Sequence, residues 1–286
     1  MLFFSSIVSV SAIVISLIVV MGIKYSTQDD ISDAEEKVGV VEVKGYIADP
    51  QETIQDIRRY REDKSIKAIV IRIDSPGGGV GPSQEISREL QRTLQDKKVI
   101  ASLGAVAASG GYYIASAASG IVANPGTITG SIGVIMGFTD IQGLLQKIGV
   151  TPVVVKSGEY KDIGSPVRTM TDAERTLLQT FSDQVHRQFI TAIAEGRHIE
   201  YEKVASVADG RILTGENAHE LGLVDRLGNL EDAIAWAGEM GGITGKVSAV
   251  YAKDKKHTFI KRLAESSLHE IMSQLSAYRL FAGYVL

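Results

Sequence analysis

The chain has 286 residues, of which 44% are hydrophobic and 22% are charged, and its formal net charge is -4. This length and composition can supply the core of one large domain or two small ones, and they exclude a disordered chain. The absence of cysteine excludes disulfides, thiolate nucleophiles and zinc–thiolate sites. Because there is no basic surplus, nucleic acid is not an expected partner.

The first predicted element is an uncharged, apolar run from Leu2 to Ile23, followed by Lys24. About 20 apolar residues span a bilayer as a helix. The alternatives are a buried core helix or a cleaved signal peptide, but the run is long, its start is not basic and no small-residue cleavage site follows. We therefore expect an uncleaved transmembrane anchor over residues 1–24 and an acidic linker over 25–37. Lys24 weakly favours a cytoplasmic globular domain under the positive-inside rule.

Strands and helices are predicted to alternate in the region that follows the linker. The segments 38–43, 66–73 and 99–103 are β-branched runs, and helical patterns begin near Pro50 and Pro82. This order is typical of a parallel sheet with right-handed crossovers, so the predicted fold class is α/β. The later expected elements are strands at 121–123, 132–136 and 152–156 and a helix over 139–148.

The C-terminal part is predicted to be mainly helical. Thr171 to Glu174 form a capping box that opens a long helix towards Arg197. A short capped helix is expected after Thr214, and another over about 230–240. The globular domain is expected to span 38–245, and the amphipathic pattern and apolar end of 246–286 are expected to contact a second copy of the chain. The alternative is that the apolar end, 280–286, occupies an active-site groove and limits access to it.

Three segments combine small and polar residues at predicted strand ends, where ligands bind in open α/β sheets. They are 74–79, 107–112 and 127–133. The first lacks the lysine of a phosphate loop and does not match G-x-G-x-x-G, so a tight strand-to-helix turn is its plain interpretation. In the second, Ser109 stands where a strand-to-helix turn exposes a nucleophile, and the Gly110 amide follows it as an oxyanion donor. The alternative for Ser109 is an ordinary helix-start serine.

A nucleophilic serine needs a base, and the histidines do not supply an obvious one. All five fall in the C-terminal part among charged neighbours, and we interpret them as surface residues: His186, His198, His219, His257 and His269. A Ser-His-Asp triad therefore lacks support in the sequence, and no metal-binding spacing is present. Lysine remains, because serine–lysine pairs are an established variant of the triad.

Five ordered motifs, within roughly residues 38–240, together resemble the signal peptide peptidase A family. They are 74–78, 107–113, 129–133, 157–162 with Ser165-Pro166, and 209–215 through 222–225. The resemblance implies a fold of the Clp protease and crotonase superfamily, with a repeated β-β-α spiral and a mainly parallel sheet. It also implies hydrolysis of remnant signal peptides and other apolar peptides in the membrane, with no cofactor.

The same resemblance implies roles for single residues. They are Ser109 as nucleophile, Lys161 as general base, Ser131 as the hydroxyl that orients the lysine, and the amides of Gly110 and of Gly77 or Gly78 as the oxyanion hole. The chain length matches the short form of the family, which assembles as ring-like homo-oligomers with active sites at subunit contacts. The resemblance favours a catalytic domain outside the cytoplasm, against the hint from Lys24.

A lysine base carries a physical condition. An ordinary lysine is only about 0.04% neutral at pH 7, so Lys161 needs surroundings that disfavour its ammonium form, such as burial against apolar groups. Its neighbours Tyr160 and Ile163 are expected to desolvate it. The carboxylates of Glu159 and Asp162 would stabilise the ammonium, so we expect both to point away from the amine.

Two other functions are compatible with this fold. A crotonase-like acyl-CoA enzyme would use the paired amides to hold an enolate and would need a positioned carboxylate, for which Asp74 and Glu85 are the candidates. A non-catalytic membrane scaffold would keep the fold without turnover. The presence of every motif residue favours the peptidase over both.

Overall fold

The computed structural model describes residues 36–252 and 283–285. The predicted anchor over 1–24 and the amphipathic pattern that begins near His257 lie outside these residues. Within them, no helix combines the length and apolar character that crossing a membrane requires.

The described strands, in chain order, are β1 (Lys37–Ile47), β2 (Ile66–Gly78), β3 (Lys98–Ala107), β4 (Gly120–Ala123), β5 (Ile128–Gly130), β6 (Ile135–Gly137), β7 (Ile212–Thr214), β8 (Arg226–Leu227), β9 (Ser248–Tyr251) and β10 (Gly283–Val285). The described helices are α1 (Gln51–Glu62), α2 (Val80–Thr93), α3 (Gly110–Ser116), α4 (Gln142–Lys147), α5 (Asp172–Arg197), α6 (Tyr201–Ala205), α7 (Gly215–Glu220) and α8 (Leu230–Met240).

Strand β3 lies at the centre of the main sheet. The order β9-β1-β2-β3-β4-β8 is parallel throughout. Near the end of β3, Val106 pairs with Ile128 of β5, and β5 continues into an antiparallel pair with β7. The predicted α/β class with a mainly parallel sheet is confirmed. Since β2 and β5 both flank the end of β3, the loops after these strands meet there.

Helices cover both faces of the sheet, which explains the continuous β-branched runs in the strands. Alternate residues of β2 point to opposite sides. Ile69, Ile71 and Ile73 belong to the core formed with α1, α2, α3 and α5. Ala68 and Val70 belong to the second core, beneath α8. Both faces of the strand are therefore removed from water.

Some predicted boundaries differ from the structure. Strand β2 continues through 74–78, where a turn was expected, because those residues pair with the end of β1. The expected strand over 132–136 is shorter and displaced towards the C-terminus, since β6 spans only Ile135–Gly137. The expected strand over 152–156 is wrong: this segment has no regular secondary structure and pairs with no strand in the described part of the chain, and Val153 is 86% and Val155 96% exposed. The helix predicted over 139–148 is confined to α4.

The long helix α5 follows its prediction closely. Thr171 accepts a hydrogen bond from the Glu174 amide while the Glu174 carboxylate accepts one from the Thr171 amide, so the predicted capping box is present. The Phe189 ring packs 5.1 Å from the ring of Tyr113. Helix α5 is thereby held against α3.

Near the end of the chain, β10 pairs antiparallel with β6. The register places Gly283 opposite Gly137 and Val285 opposite Ile135. The edge of β6 therefore accepts an extended strand.

A buried tyrosine connects α3 to the loop before β8, and we expect its hydroxyl to stabilise the fold. Tyr112 is fully buried, and its hydroxyl donates to the Leu223 carbonyl at 2.7 Å. Tyr112→Phe leaves that carbonyl unpaired, so the free energy of unfolding should fall by about 1–3 kcal/mol in chemical denaturation. The matched variant Tyr46→Phe, at a side chain that is 60% exposed, should change it by less than about 0.5 kcal/mol. Equal stability of the two variants would contradict this assignment.

Candidate active site

Ser109 occupies a strained turn between β3 and α3. Its backbone angles are φ 54° and ψ -121°, and the residue is only 5% exposed. A non-glycine residue in a sparsely populated region such as this costs about 1–3 kcal/mol, and such strain concentrates at functional sites. A sharp strand-to-helix turn is also how α/β hydrolases present a nucleophilic serine. Ser109 therefore lies at the predicted strand-to-helix turn. Its positive φ angle is a strain that an ordinary serine at the start of a helix does not need.

Backbone hydrogen bonds from three directions hold this turn. The Ser109 amide donates to the Gly130 carbonyl at 2.9 Å, and the Ala108 amide donates to the Ser75 carbonyl at 3.1 Å. Within α3, the Tyr113 amide donates to the Ser109 carbonyl at 2.9 Å. Because β2, β5 and α3 each fix one part of it, the strained conformation persists.

The turn after β5 brings Ser131 next to this site. Gly130 and Ser131 have φ angles of 72° and 52°, and the Ser131 amide donates to the Arg211 carbonyl at 2.8 Å. Thr129 is fully buried, and its hydroxyl donates to the Ala107 carbonyl at 2.7 Å. Thr129 thus attaches β5 to the end of β3. The sequence placed Thr129 inside a small-residue motif but gave no sign of this positioning contact.

Gly110 and Gly78 lie close together beside Ser109. A Cβ atom added at Gly110 would lie 2.5 Å from the Ser83 hydroxyl oxygen and 3.3 Å from the Gly78 nitrogen. One added at Gly78 would lie 2.3 Å from the Ile47 carbonyl oxygen. Only glycine fits at either position. The Gly110 amide is the first of its helix and has no carbonyl partner within it, as an oxyanion donor requires.

Of the two predicted alternatives for the second oxyanion donor, the geometry favours Gly78. The Gly77 amide donates to the Ser75 hydroxyl at 3.1 Å, and that hydroxyl donates to the Gly45 carbonyl at 2.6 Å. Gly77 is thereby engaged in holding the end of β2, with a φ of 109° that glycine alone adopts readily. Sequence reasoning could not separate Gly77 from Gly78, because the separation depends on the Ser75 contact.

Lys161 lies on a series of turns over 157–164, where its amide donates to the Gly158 carbonyl at 3.2 Å. Its side chain is exposed, so the burial expected of a lysine base is not present in a single copy of the chain. Within the described residues, no hydrogen bond joins Lys161 to Ser109 or Ser131. The serine–lysine pair therefore stays a prediction.

The acidic neighbour of Lys161 is engaged elsewhere. Asp162 forms salt bridges with Lys156 at 2.6 Å and with Arg168 at 2.8 Å. Hydrogen bonds from Arg168, and then from Lys156, hold the pKa of the Asp162 carboxyl well below its usual range. The described residues contain no salt bridge between Lys161 and Glu159 or Asp162.

Arg168 also binds Glu174, the capping residue of α5. We call Lys156, Asp162, Arg168 and Glu174 the Arg168 cluster. Hydrogen bonds from Arg168, then from the Thr171 amide, lower the pKa of Glu174 to about 2. The Glu174 side chain is only 4% exposed. The capping box was visible in the sequence, whereas the arginine that joins it to the turn of Lys161 was not.

The rival groups are not arranged for catalysis in the described part of the chain. His219 Nδ1 lies 3.0 Å from the Val224 carbonyl oxygen, and His198 is exposed at the end of α5. The interpretation as a surface residue is wrong for His186, since its Nε2 atom is buried and has no hydrogen-bond partner among the described residues.

The two candidate carboxylates of a crotonase-like enzyme are placed differently. The Asp74 carboxylate accepts from the Val106 amide at 3.1 Å, and Glu85 is exposed on α2. Neither carboxylate is presented to the paired glycines in the way that a crotonase-like reaction needs.

A cavity lined by both apolar and polar groups lies between β6 and the start of α5. Its volume is about 430 Å³, and its lining residues are Val134, Ile135, Met136, Phe138, Met170, Arg175, Leu178, Gln179 and Ser182. The Phe138 ring lies against Gly164, where an added Cβ would be 2.4 Å from it. One wall of the cavity therefore contacts the turns that carry Lys161.

Comparison with known proteins places this site in a family. Residues 91–244 match the model of peptidase family S49. A Synechocystis sp. protein that carries a protease name is 46% identical over 213 residues, which cover 74% of this chain and 77% of that protein. The chloroplastic serine protease SPPA of Arabidopsis thaliana is 37% identical over 258 residues, covering 87% of this chain but only 37% of that protein.

A solved structure of a 1510-N membrane-bound stomatin-specific protease mutant has the same general fold. It superposes with a TM-score of 0.51 at 20% identity, covering 78% of this chain and 100% of that one. The match in fold agrees with the sheet described above. Since the family model spans more than half of the chain, this protein belongs to peptidase family S49 and is a serine peptidase of the signal peptide peptidase A type.

Proposed function

We propose that this peptidase cleaves unfolded apolar peptides, including remnant signal peptides, with Ser109 as nucleophile and Lys161 as general base. The observation that carries the proposal is the strained, buried turn of Ser109 beside the amides of Gly78 and Gly110. Two amides converging next to a nucleophile suit the developing oxyanion of acyl transfer. Ser131, on the adjacent turn, supplies the hydroxyl that orients the lysine amine.

In this mechanism Ser109 Oγ attacks the scissile carbonyl carbon and its proton passes to the neutral Lys161 amine. The oxyanion is held by the Gly78 and Gly110 amides. The lysine ammonium then gives the proton to the leaving amine, and an acyl-enzyme remains on Ser109. Water attacks the acyl carbon as Lys161 accepts its proton, and the Lys161 ammonium then returns that proton to Ser109 Oγ as the acyl–oxygen bond breaks, which releases the acid product and restores the free enzyme.

The substrate class is supported by the edge of β6 and by the apolar side chains in the cavity beside it. Strand β6 accepts β10 as an antiparallel partner, and an extended peptide can bind an exposed edge in the same way. Met136, Phe138 and Met170 give the cavity an apolar lining. Because apolar shape discriminates weakly between similar side chains, we expect modest selectivity for apolar residues.

The proposal includes membrane attachment. The apolar run from Leu2 to Ile23 has the length of a single-pass anchor, which would keep the enzyme at the bilayer where remnant signal peptides remain. The catalytic domain is proposed to lie outside the cytoplasm, where such remnants are accessible. The repeated β-β-α spiral of the Clp protease and crotonase superfamily is proposed as the finer description of the fold.

Self-association would supply the burial that Lys161 lacks in one copy. Lys161 is exposed, and the segment before it carries the exposed side chains of Val153 and Val155. A lysine that acts as a base must lose its proton near neutral pH, which requires a less polar environment. We therefore propose a homo-oligomer in which Lys161 of one copy completes the site of Ser109 in its neighbour.

Removing either member of the pair should abolish turnover. Ser109→Ala and Lys161→Ala should each reduce kcat for an unfolded apolar peptide by about 10⁴-fold or more, because nucleophile and base act as a unit. Lys147→Ala, which removes an exposed lysine on α4, should leave kcat unchanged. Full activity of either Ser109→Ala or Lys161→Ala would reject the mechanism.

The paired glycines should be required for the oxyanion. Gly110→Ala inserts a methyl group 2.5 Å from the Ser83 oxygen and displaces the turn, so kcat should fall by about 10²-fold or more, as for loss of one oxyanion donor. Gly81→Ala, at a position of α2 with open space around it, is the matched control and should retain activity. Unchanged kcat in Gly110→Ala would contradict the proposed role of this turn.

A site shared between copies should be restored by mixing two inactive chains. Co-expressed Ser109→Ala and Lys161→Ala chains should recover roughly a quarter of wild-type activity, because half the copies keep the nucleophile and half keep the base at each contact. Light scattering should report an oligomer for the same sample. A monomer, or an oligomer without recovered activity, would reject the shared site.

A further inference from the structure

Asp162 directly follows the proposed base, but the guanidinium group of Arg168 binds its carboxylate through two parallel hydrogen bonds, which we call the fork. Arg168 Nε lies 2.8 Å from Asp162 Oδ2, and Arg168 Nη2 lies 2.9 Å from Asp162 Oδ1. This two-bond arrangement is the strongest geometry available between an arginine and a carboxylate. The Asp162 side chain is 14% exposed, so few other partners can reach it.

The fork is itself anchored to a helix. Arg168 Nη1 donates to Glu174 at 2.9 Å, Nη2 also contacts Glu174, and Nη2 donates to the Asp162 carbonyl at 3.2 Å. Glu174 in turn accepts from the Thr171 amide at 2.9 Å. Since the capping box fixes Glu174, Arg168 holds both the side chain and the backbone of Asp162 against the first turn of α5.

The charges that face Asp162 balance within the Arg168 cluster, which has two cations and two carboxylates. Lys156 approaches Asp162 from the preceding segment and also donates to the Glu159 carbonyl at 2.7 Å. Next to the cluster, the Asp140 carboxylate accepts from the Thr169 hydroxyl at 3.3 Å. None of these contacts reaches Lys161, so in the described residues its amine has no carboxylate within salt-bridge distance.

We propose that Arg168 is a positioning residue of the serine–lysine reaction: it holds the Asp162 carboxylate away from Lys161, so that the lysine amine can be neutral and accept the serine proton. The inference rests on the proposed function, because it matters only if Lys161 is the base. A carboxylate released next to an ammonium within about 4–6 Å favours the charged form by 1–3 pH units. Loss of the fork would therefore protonate the base at working pH.

The variant Arg168→Met tests this in the full-length protein through the dependence of kcat on pH. The rising limb of the profile should move to higher pH by about 1 unit, so kcat at pH 7 should fall about 10-fold while KM changes little. In the double variant Arg168→Met with Asp162→Asn the released carboxylate is gone, and the limb should return to its wild-type position. Arg168→Lys keeps the charge without the fork and should lie between wild type and Arg168→Met.

The control is a similar arginine–carboxylate contact away from the site. Arg61 Nη1 lies 2.8 Å from Glu89 Oε1, and the Glu89 side chain is 2% exposed. Arg61→Met should lower the free energy of unfolding without moving the limb. An unmoved limb in both Arg168→Met and Arg168→Lys, or a double variant that behaves like Arg168→Met alone, would leave Arg168 a purely structural residue and overturn the inference.

Failure of the proposed function is recognised separately. If Lys161→Ala keeps its activity, Lys161 is not the base and the mechanism itself fails. If Lys161→Ala is inactive and the limb stays in place in the Arg168 variants, the mechanism stands and only the role of Arg168 is rejected.

Discussion

The hydrogen bond from the Ser109 amide to the Gly130 carbonyl joins the two turns on which the site depends. One turn ends β3 and carries Ser109, the proposed nucleophile, and the other ends β5 and carries Ser131. Both serines have positive φ angles, so neither turn is stable by its own propensity. Each is held by the other and by the sheet beneath, with Thr129 as the buried attachment. The geometry of Ser109 is consequently a property of the sheet rather than of its local sequence.

Close approach of backbones is the second constraint. Gly78 lies against Ile47 of β1, and Gly110 lies against Ser83 of α2, with no space for a side chain at either glycine. These contacts bring two backbone amides beside Ser109 without any charged group. A site of this kind stabilises negative charge that develops during acyl transfer.

The electrostatics of the lysine segment complement this arrangement. A base formed by lysine works only where the ammonium is disfavoured, and a neighbouring carboxylate acts in the opposite direction. In the proposed mechanism the Arg168 cluster holds the Asp162 carboxylate away from Lys161, and the exposed side chains of Val153 and Val155 are the proposed contact with a second copy. The first would remove the attraction of a carboxylate for the ammonium, and the second would remove the ammonium from water. A lysine base needs both.

The sequence by itself determined the α/β class, the capping box that opens α5 and the small-residue turn at Ser109, since these depend on local periodicity and on short-range hydrogen bonds. Only the tertiary structure decided which glycine amide is engaged, because the Ser75 hydroxyl that occupies Gly77 reaches it through the pairing of β1 and β2. The segment over 152–156 has the β-branched residues of a strand, but a strand also needs a partner edge, and none pairs with it in the described residues. Arg168 had no recognisable pattern for the same reason: its partners, Asp162 and Glu174, lie six residues away on either side, and only folding brings both to one guanidinium group.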